Sequence, residues 1–488
     1  MRTNYRINSG TRFEVFSQDQ LEELFVSALH LLEHTGLDVQ HAEGRDVLKK
    51  AGAFVEGARV RLPSYLVKRA LQAAPRSFTL FARDGNLKHD VHVGPGRAHF
   101  GSGLGGPSFV DVETEERRPY VKADAPLVAK IADALPNIDF VESAGLVGDV
   151  AEFAGLFANT SKPIVARSRD SDGLAEIHKI ALAEAGGQAA FERRSNYAYY
   201  IEPSSPLVGD SSALEKLVFS ARHRIPLVYA PCLVAGKTAP MTAAGAITQA
   251  AAEAWLGLVL AQTIQPGLPF VMGGVLSVAD AGLNLAYGAP ELALMMAGLT
   301  ELAHYAGLPM WQTGGCTDSK CLDEQAAIEG ALSAFFSALS TGDLCHAVGY
   351  TESAATGSVF QLVMMDEAIG YSRRITRGIE VNEDTLAVEV IHHVGPNGHY
   401  LREPQTRRLF KSEFWFPNLC DRRNFEEWDT LGRTTMRERA IARAQDILAR
   451  HQPAPVKPAT QKVIDKVLAK VEKPVRKTAK RARKARAH

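Results

Sequence analysis

Cysteine is scarce, with five residues in a chain of 488. So few cannot staple a chain of this size, which excludes a disulfide framework and makes a reducing cytoplasm the expected setting. No apolar run stands out as a bilayer span, and the opening "MRTNYRINSGTRFEVFS" lacks the charged-then-apolar layout of a secretion signal, so no membrane role is expected. A dinucleotide fingerprint is missing as well. The glycines of "GSGLGG" at 101–106 are followed by the β-rich "SFVDVETEERRPY", where a phosphate-binding helix would have to start.

Net charge is absent too, with 55 basic against 55 acidic residues, but the balance is uneven along the chain. From Pro453 to His488 twelve Lys/Arg face only Asp465 and Glu472. The body is therefore acidic and the tail basic. The tail has no aromatic residue and too little apolar surface to offset its ordering entropy, so 453–488 is read as a basic disordered tail, apart from a short helix over 462–472. It is either a contact for nucleic acid or an anionic surface, or a solvated appendage.

What is present is a long alternation of short apolar strands and amphipathic helices. Strands are expected at 97–101, 138–143, 163–167, 196–201, 226–230, 269–273, 308–312 and 343–348. Helices are expected between and after them at 122–135, 174–185, 212–223, 242–265, 290–305, 323–340 and 358–375. Eight such units with near-continuous apolar strands fit a (β/α)₈ TIM barrel over 97–380, preferred to an open doubly wound sheet. Before it, 1–96 reads as an N-terminal helical and small β extension, with Ser17 capping the first helix and Gly36 stopping it. After it, 381–452 reads as a C-terminal helical region whose last helix, 433–449, packs on the barrel or on a second subunit.

In this fold the chemistry sits at the C-terminal ends of the strands. Those ends supply Phe100, Glu142, Arg167, Tyr199, Glu202, Tyr229, Trp311 and His346. Aromatic faces attract cations by ~0.5–2 kcal/mol per contact. A carboxylate that ends a buried strand, as Glu202 does before Pro203, is costly unless it meets a partner or a ligand. Phe100, Tyr199, Glu202, Tyr229, Trp311 and His346 are therefore expected to converge on a cation-sized space, with Glu202 and His346 nearest the chemistry. Arg167 is placed to bind a substrate carboxylate or to bridge to Glu142 or Glu202. Cys316 and Cys321 invite a zinc or redox reading, but they lack a second ligand pair, and no bound metal is expected.

Longer stretches carry a resemblance. "GGVLSVADAGLNLAYGAPELALMMAGLTELAHYAGLP", "GGCTDSKCLDEQAA", "GYTESAATGSVFQLVMMDEAIGYSRRI" and "HHVGPNGHYLREPQTRRLFKSEFWFPNLCDR" resemble the trimethylamine methyltransferase family, as does "FGSGLGGPSFVDVETEERRPYVKAD". The similarity runs from about Ser17 to Leu448. It implies a barrel enzyme that moves a methyl group from a methylated amine to a corrinoid (cobalamin) carried by a separate small corrinoid-binding protein, and an assembly of several copies. Within it, Gly314, Gly315, Asp318, Lys320, Asp323, Gln325 and Ala326 match the family's loop pattern, while Cys316 and Cys321 fall on its unspecified positions. Gly314, Gly315 and Asp318 are then expected to face the cofactor. The trimethylamine enzymes use pyrrolysine, which this sequence lacks, so the resemblance is to the non-pyrrolysine branch and to quaternary amines such as glycine betaine. A non-catalytic barrel that binds nucleic acid or anionic surfaces through its tail is the competing reading.

Overall fold

The computed structural model describes residues 11–103, 105–279 and 285–471. Eight parallel strands close into a barrel: β1 (His99–Ser102), β2 (Phe140–Glu142), β3 (Ile164–Ala166), β4 (Tyr197–Ile201), β5 (Leu227–Tyr229), β6 (Phe270–Gly273), β7 (Met310–Thr313) and β8 (Leu344–Val348). β8 returns to β1 through the pairs Leu344↔His99 and Cys345↔Phe100, which seals the sheet edge. The helices that follow the strands in turn are α1 (Asp124–Ala134), α2 (Asp149–Asn159), α3 (Ser171–Ala185), α4 (Ser211–Arg222), α5 (Ala243–Ile264), α6 (Pro290–Tyr305), α7 (Glu324–Leu339) and α8 (Val359–Thr376). Parallel strands require such crossovers, and both faces of each strand are consequently buried.

Strand alternation sorts side chains into two cores. Phe140, Val165, Ala198, Tyr200, Val228, Ala230, Val271, Trp311 and Leu344 fill the barrel interior. Their odd-register neighbours, including Tyr197, Tyr199, Leu227, Tyr229 and Phe270, join the larger core between barrel and helices. Leu80, Val91 and Val93, from the hairpin of Phe78–Leu80 and Val91–Val93, plug the barrel's N-terminal end. That hairpin turns around the expected Asp84-Gly85-Asn86, where Gly85 takes the left-handed conformation at φ +78.

The N-terminal extension follows its sequence signals. Ser17 and Gln20 form a reciprocal capping box at the start of the Gln18–His30 helix, and Gly36 ends the helical stretch at φ +67. α5 corrects one expectation, because by length and composition it could cross a membrane. In the fold 78% of its most apolar window is buried inside the protein, so it serves as the central core helix.

The tail is a second correction. Where disorder from Pro453 with at most a short helix was expected, α10 (Pro458–Val471) docks on α3, preceded by α9 (Met436–Arg450) packed on α1 and α8. Ile464 and Val467 are buried, and Thr460 and the Lys457 amide donate to the Glu184 carboxylate at 2.6 and 3.2 Å. Arg83 clamps the approach by donating to the carbonyls of Thr160, Ala454 and Pro455. Residues 472–488, the most basic part, lie outside the described residues.

Candidate active site

The mouth is built by residues that end their strands pointing inward. Glu202 follows β4 two residues after Tyr200 and therefore shares its inward face. Arg167, just past β3, donates to Glu202 at 2.8 Å and lies 4.0 Å from Glu142 at the end of β2. Its guanidinium also covers the Tyr200 ring at 4.4 Å. Burial alone would lower the Arg167 pKa, but Tyr200, Glu202 and Glu142 outweigh it and the group stays firmly cationic. Tyr200 donates to Glu202 at 3.1 Å, and burial with that carboxylate beside it drives its own pKa far up, so it remains a neutral donor.

His346 is held from both nitrogens. Nδ1 is 3.1 Å from Glu142, and Nε2 is 3.0 Å from the Thr313 hydroxyl at the end of β7. Its ring stacks on Trp311 at 4.7 Å and 22°, with Tyr200 on the other edge of Trp311 at 5.4 Å. Just beyond His346, β8 carries a bulge against β1, and Ala347 sits at φ +73. A left-handed non-glycine costs ~1–2 kcal/mol, a strain that surrounding contacts must hold.

Arg167, Tyr200 and Glu202 open onto a cavity of about 370 Å³, bounded further by Gly145, Arg169 and Lys216. The Lys216 ammonium donates to the Ser168 carbonyl at 3.4 Å. One wall of the cavity is the loop 144–148, which the buried Glu152 carboxylate ties down by accepting from the Ala144 amide at 2.6 Å. Burial pushes Glu152 up to about 7.

Of the six residues expected to converge, Glu202, Trp311 and His346 lie at the mouth, Trp311 as a buried floor beneath His346, and Arg167 makes the expected bridge to Glu142 and Glu202 beside them. Phe100, Tyr199 and Tyr229 do not lie there. Tyr199 faces the helical layer and bonds Ser168, Oγ to Oη at 2.6 Å, pinning from outside the loop that carries Arg167. Tyr229 stacks on Phe270 and presses on α5 so closely that a Cβ at Gly257 would lie 2.7 Å from its ring. Phe100 lies under the Arg373 guanidinium of α8. Of the expected aromatic box the cavity keeps one aromatic wall, Tyr200, with Trp311 and His346 packed behind it.

The glycine loop after β7 has its polar groups committed. The Gly314 amide donates to the His346 carbonyl and the Gly315 amide to Ser333. Asp318 accepts from the Tyr287 and Gly288 amides at 2.8 and 2.9 Å and from Ser353. Gly314, Gly315 and Asp318 therefore shape the rim instead of offering free groups to a cofactor. Cys316 is buried behind Tyr287 while Cys321 is exposed beside Asp323, so the two do not form a pair. Among the described residues no cluster of three His, Cys, Asp or Glu could hold a metal ion.

Sequence reasoning passed over Tyr200 in favour of Tyr199 and ranked Glu142 below Glu202. The inward parity of Glu202 was the available signal for Tyr200. The partnership of Glu142 with His346 spans 204 positions and leaves no local trace.

A closed eight-stranded barrel with its polar cluster at the strand ends defines a TIM-barrel enzyme. The chain matches the trimethylamine methyltransferase (MTTB) family over residues 2–475, and it belongs to that family. It is 31% identical over 451 residues to trimethylamine methyltransferase MttB of Desulfitobacterium hafniense (strain DSM 10664 / DCB-2), covering 90% of each chain. To the glycine betaine methyltransferase of D. hafniense (strain Y51) it is 28% identical over 457 residues, covering 92% of this chain and 95% of that one. Among solved structures, the Methanosarcina barkeri monomethylamine methyltransferase MtmB shares the fold at TM-score 0.50 and 11% identity, covering 94% of this chain and 88% of that one. The chain is a methyltransferase, which sets aside the non-catalytic barrel. The family match also runs past Leu448 into α10, so the docked helix lies within it.

Proposed function

We propose that the enzyme takes a methyl group from a small quaternary amine bearing a carboxylate, such as glycine betaine, and passes it to a corrinoid presented by a separate protein. The observation that carries this reading is Arg167, a cation shared between Glu142 and Glu202 at the wall of a cavity of about 370 Å³. A zwitterion can exchange with both halves of that arrangement. Its carboxylate is drawn to Arg167 and Lys216, and its ammonium to Glu202 and the Tyr200 ring. The likeness to a glycine betaine methyltransferase supports the same substrate class.

The chemistry asks little of the protein beyond placement. The N–CH₃ bond breaks, its electron pair stays on nitrogen, and the cation leaves as a neutral tertiary amine, so no proton has to move. His346, fixed by Glu142 and Thr313, lies behind the cavity wall and holds the Glu142 carboxylate that faces Arg167, so the placing of the ammonium falls to Tyr200 and Glu202, which line the cavity. The cavity suits a small amine and is far too small for a corrin macrocycle, which fits a cofactor met at the rim. The corrinoid, when presented there, supplies the electron-rich cobalt that accepts the methyl.

The test is cob(I)alamin methylation, followed by absorbance, with glycine betaine, choline, tetramethylammonium and trimethylamine. Glycine betaine is expected to be preferred, and Arg167→Met is expected to erase its advantage over choline. Equal turnover of tetramethylammonium and glycine betaine by the unaltered enzyme rules the carboxylate out of recognition.

A further inference from the structure

At the N-terminal end of the barrel, opposite the mouth, a cavity of about 480 Å³ opens between the start of β1 and the ends of α7 and α8. It is larger than the cavity at the mouth and falls within the ~300–1,000 Å³ of small-molecule sites. Arg12, Arg97, Arg373 and Arg377 line it together with Thr341 and Thr376, and among the described residues no Asp or Glu does. None of these side chains takes part in the site at the mouth.

An arginine at a helix C-terminus is ordinary, because the last carbonyls and the negative end of the dipole attract cations. The end of α8 accounts in this way for much of two of the four. Arg377 donates to the Ser412 carbonyl at 2.7 Å, and Arg373 donates to Asn137 and Asp139. Arg373 still leaves its buried Nε without an acceptor, a cost that a bound anion would remove. Arg12 and Arg97 have no such account. Both are exposed, and neither makes a hydrogen bond or an ion pair among the described residues. Nor is Arg12 on a loose strand of chain. The Phe13 amide donates to the Leu339 carbonyl at 3.3 Å, its ring meets Phe336 edge-on at 5.1 Å, and Glu301 accepts the Phe16 amide at 3.0 Å. Arg97 stands two residues before His99, where β1 begins. Asp139 is the one carboxylate paired with any of the four among the described residues, so four cations less one anion leaves three positive charges in excess.

We propose that this cavity binds a diphosphate group, free or esterified in a nucleotide. A guanidinium fork pairs two nitrogens with two phosphate oxygens, and such charge-assisted bonds are about twice as strong as neutral ones. A single phosphate carries about −2 at most and leaves part of the excess unmatched. Two joined phosphates match it, and they offer oxygens both to Arg12 and Arg97 and to the arginines at the end of α8. A lone carboxylate, with one charge, is a poorer occupant.

Calorimetric titration of the full chain with pyrophosphate, in low-salt buffer free of phosphate and sulfate, tests this. One site per chain is expected, with affinity at least about ten-fold above that for inorganic phosphate. Arg12→Gln and Arg97→Gln, both at exposed positions, should each weaken pyrophosphate about ten-fold and leave methyl transfer unchanged. The basic residues 472–488 also attract polyanions, so a chain ending at Val471 is titrated beside the full one and is expected to bind equally. ADP separates the two sources: binding as tight as pyrophosphate or tighter assigns the diphosphate to a nucleotide, and weaker binding assigns it to the free ion. No binding of pyrophosphate, binding lost with residues 472–488, binding indifferent to both substitutions, or inorganic phosphate held as tightly as pyrophosphate each overturns the site.

Discussion

The base and the mouth of the barrel both bury charge, and they treat it differently. At the base, Lys162 gives its three protons to the carbonyls of Ala132, Leu135 and Ile138 at 2.6–2.7 Å. Asp343 accepts from the Met310 amide and His304, and Asp139 accepts from the Phe100 amide and Arg373. These charges are met largely by backbone, which cannot leave. At the mouth, Arg167 and Glu202 meet each other, and both side chains are about a third exposed to a cavity. A side-chain partner can be traded for a ligand at small cost, whereas a backbone partner cannot. Burial of charge alone would not have told the two ends apart; the identity of the partner does.

The strongest attempt to break this contrast is Lys162→Met. It leaves three buried carbonyls without a donor and should cost about 4 kcal/mol of stability by denaturant unfolding, while KM for the amine stays unchanged. A shifted KM with intact stability would mean the base is coupled to the site. Next comes Glu152, whose carboxyl burial lifts from 4.5 to about 7. Between those values the folded state holds a proton that the unfolded chain has released. Its stabilising effect is therefore complete below about pH 4.5 and is lost as pH rises through 7, a span on the order of 3 kcal/mol. Glu152→Gln should flatten the urea midpoint over that range, and an unchanged slope would assign the pH dependence to another group.

How much of this was legible in the sequence depends on the period that carried it. Strand and helix positions were plain, because a run such as "PFVMG" followed by a helical stretch permits few other foldings; α5, expected at 242–265, spans Ala243–Ile264. The facing of aromatics was not. In "YAYYI" both faces of β4 are buried, so hydrophobicity does not alternate and Tyr199 cannot be told from Tyr200 by composition. Only the charge at Glu202, two residues on, breaks the tie. The docking of α10 was illegible for a different reason. Its anchors, Arg83 and Glu184, lie hundreds of positions upstream, and a helix rich in Lys reads as solvated until its few aliphatics find a wall.

That docking supplies a smaller test away from the mouth. Truncation after Gln452 removes the buried Ile464 and Val467 with the Glu184 contacts, and should lower stability by about 2 kcal/mol without altering KM. Removing only 472–488 should change neither the melting temperature nor KM. A loss of turnover in the shorter truncation would give the basic end a role in the reaction.

The smallest effect is the most diagnostic of the mouth. Glu202→Gln keeps the side chain's shape and its ability to accept from Tyr200, but removes one charge from a group that is 38% exposed. Because solvent screens it, the loss should be about 1.4 kcal/mol, a KM for glycine betaine raised roughly ten-fold with turnover little changed. The same substitution releases Arg167 from its 2.8 Å partner and leaves it freer for a carboxylate. A neutral isostere separates the two consequences. In 3,3-dimethylbutyrate the ammonium of glycine betaine is replaced by carbon, so it has nothing for Glu202 to attract but keeps the carboxylate for Arg167. Its inhibition constant should stay level or fall in Glu202→Gln while the KM for glycine betaine climbs. Weakening of both ligands by the same factor would show that Glu202 supports the cavity's shape, and the exchangeable charge of the mouth would then rest on Arg167 alone.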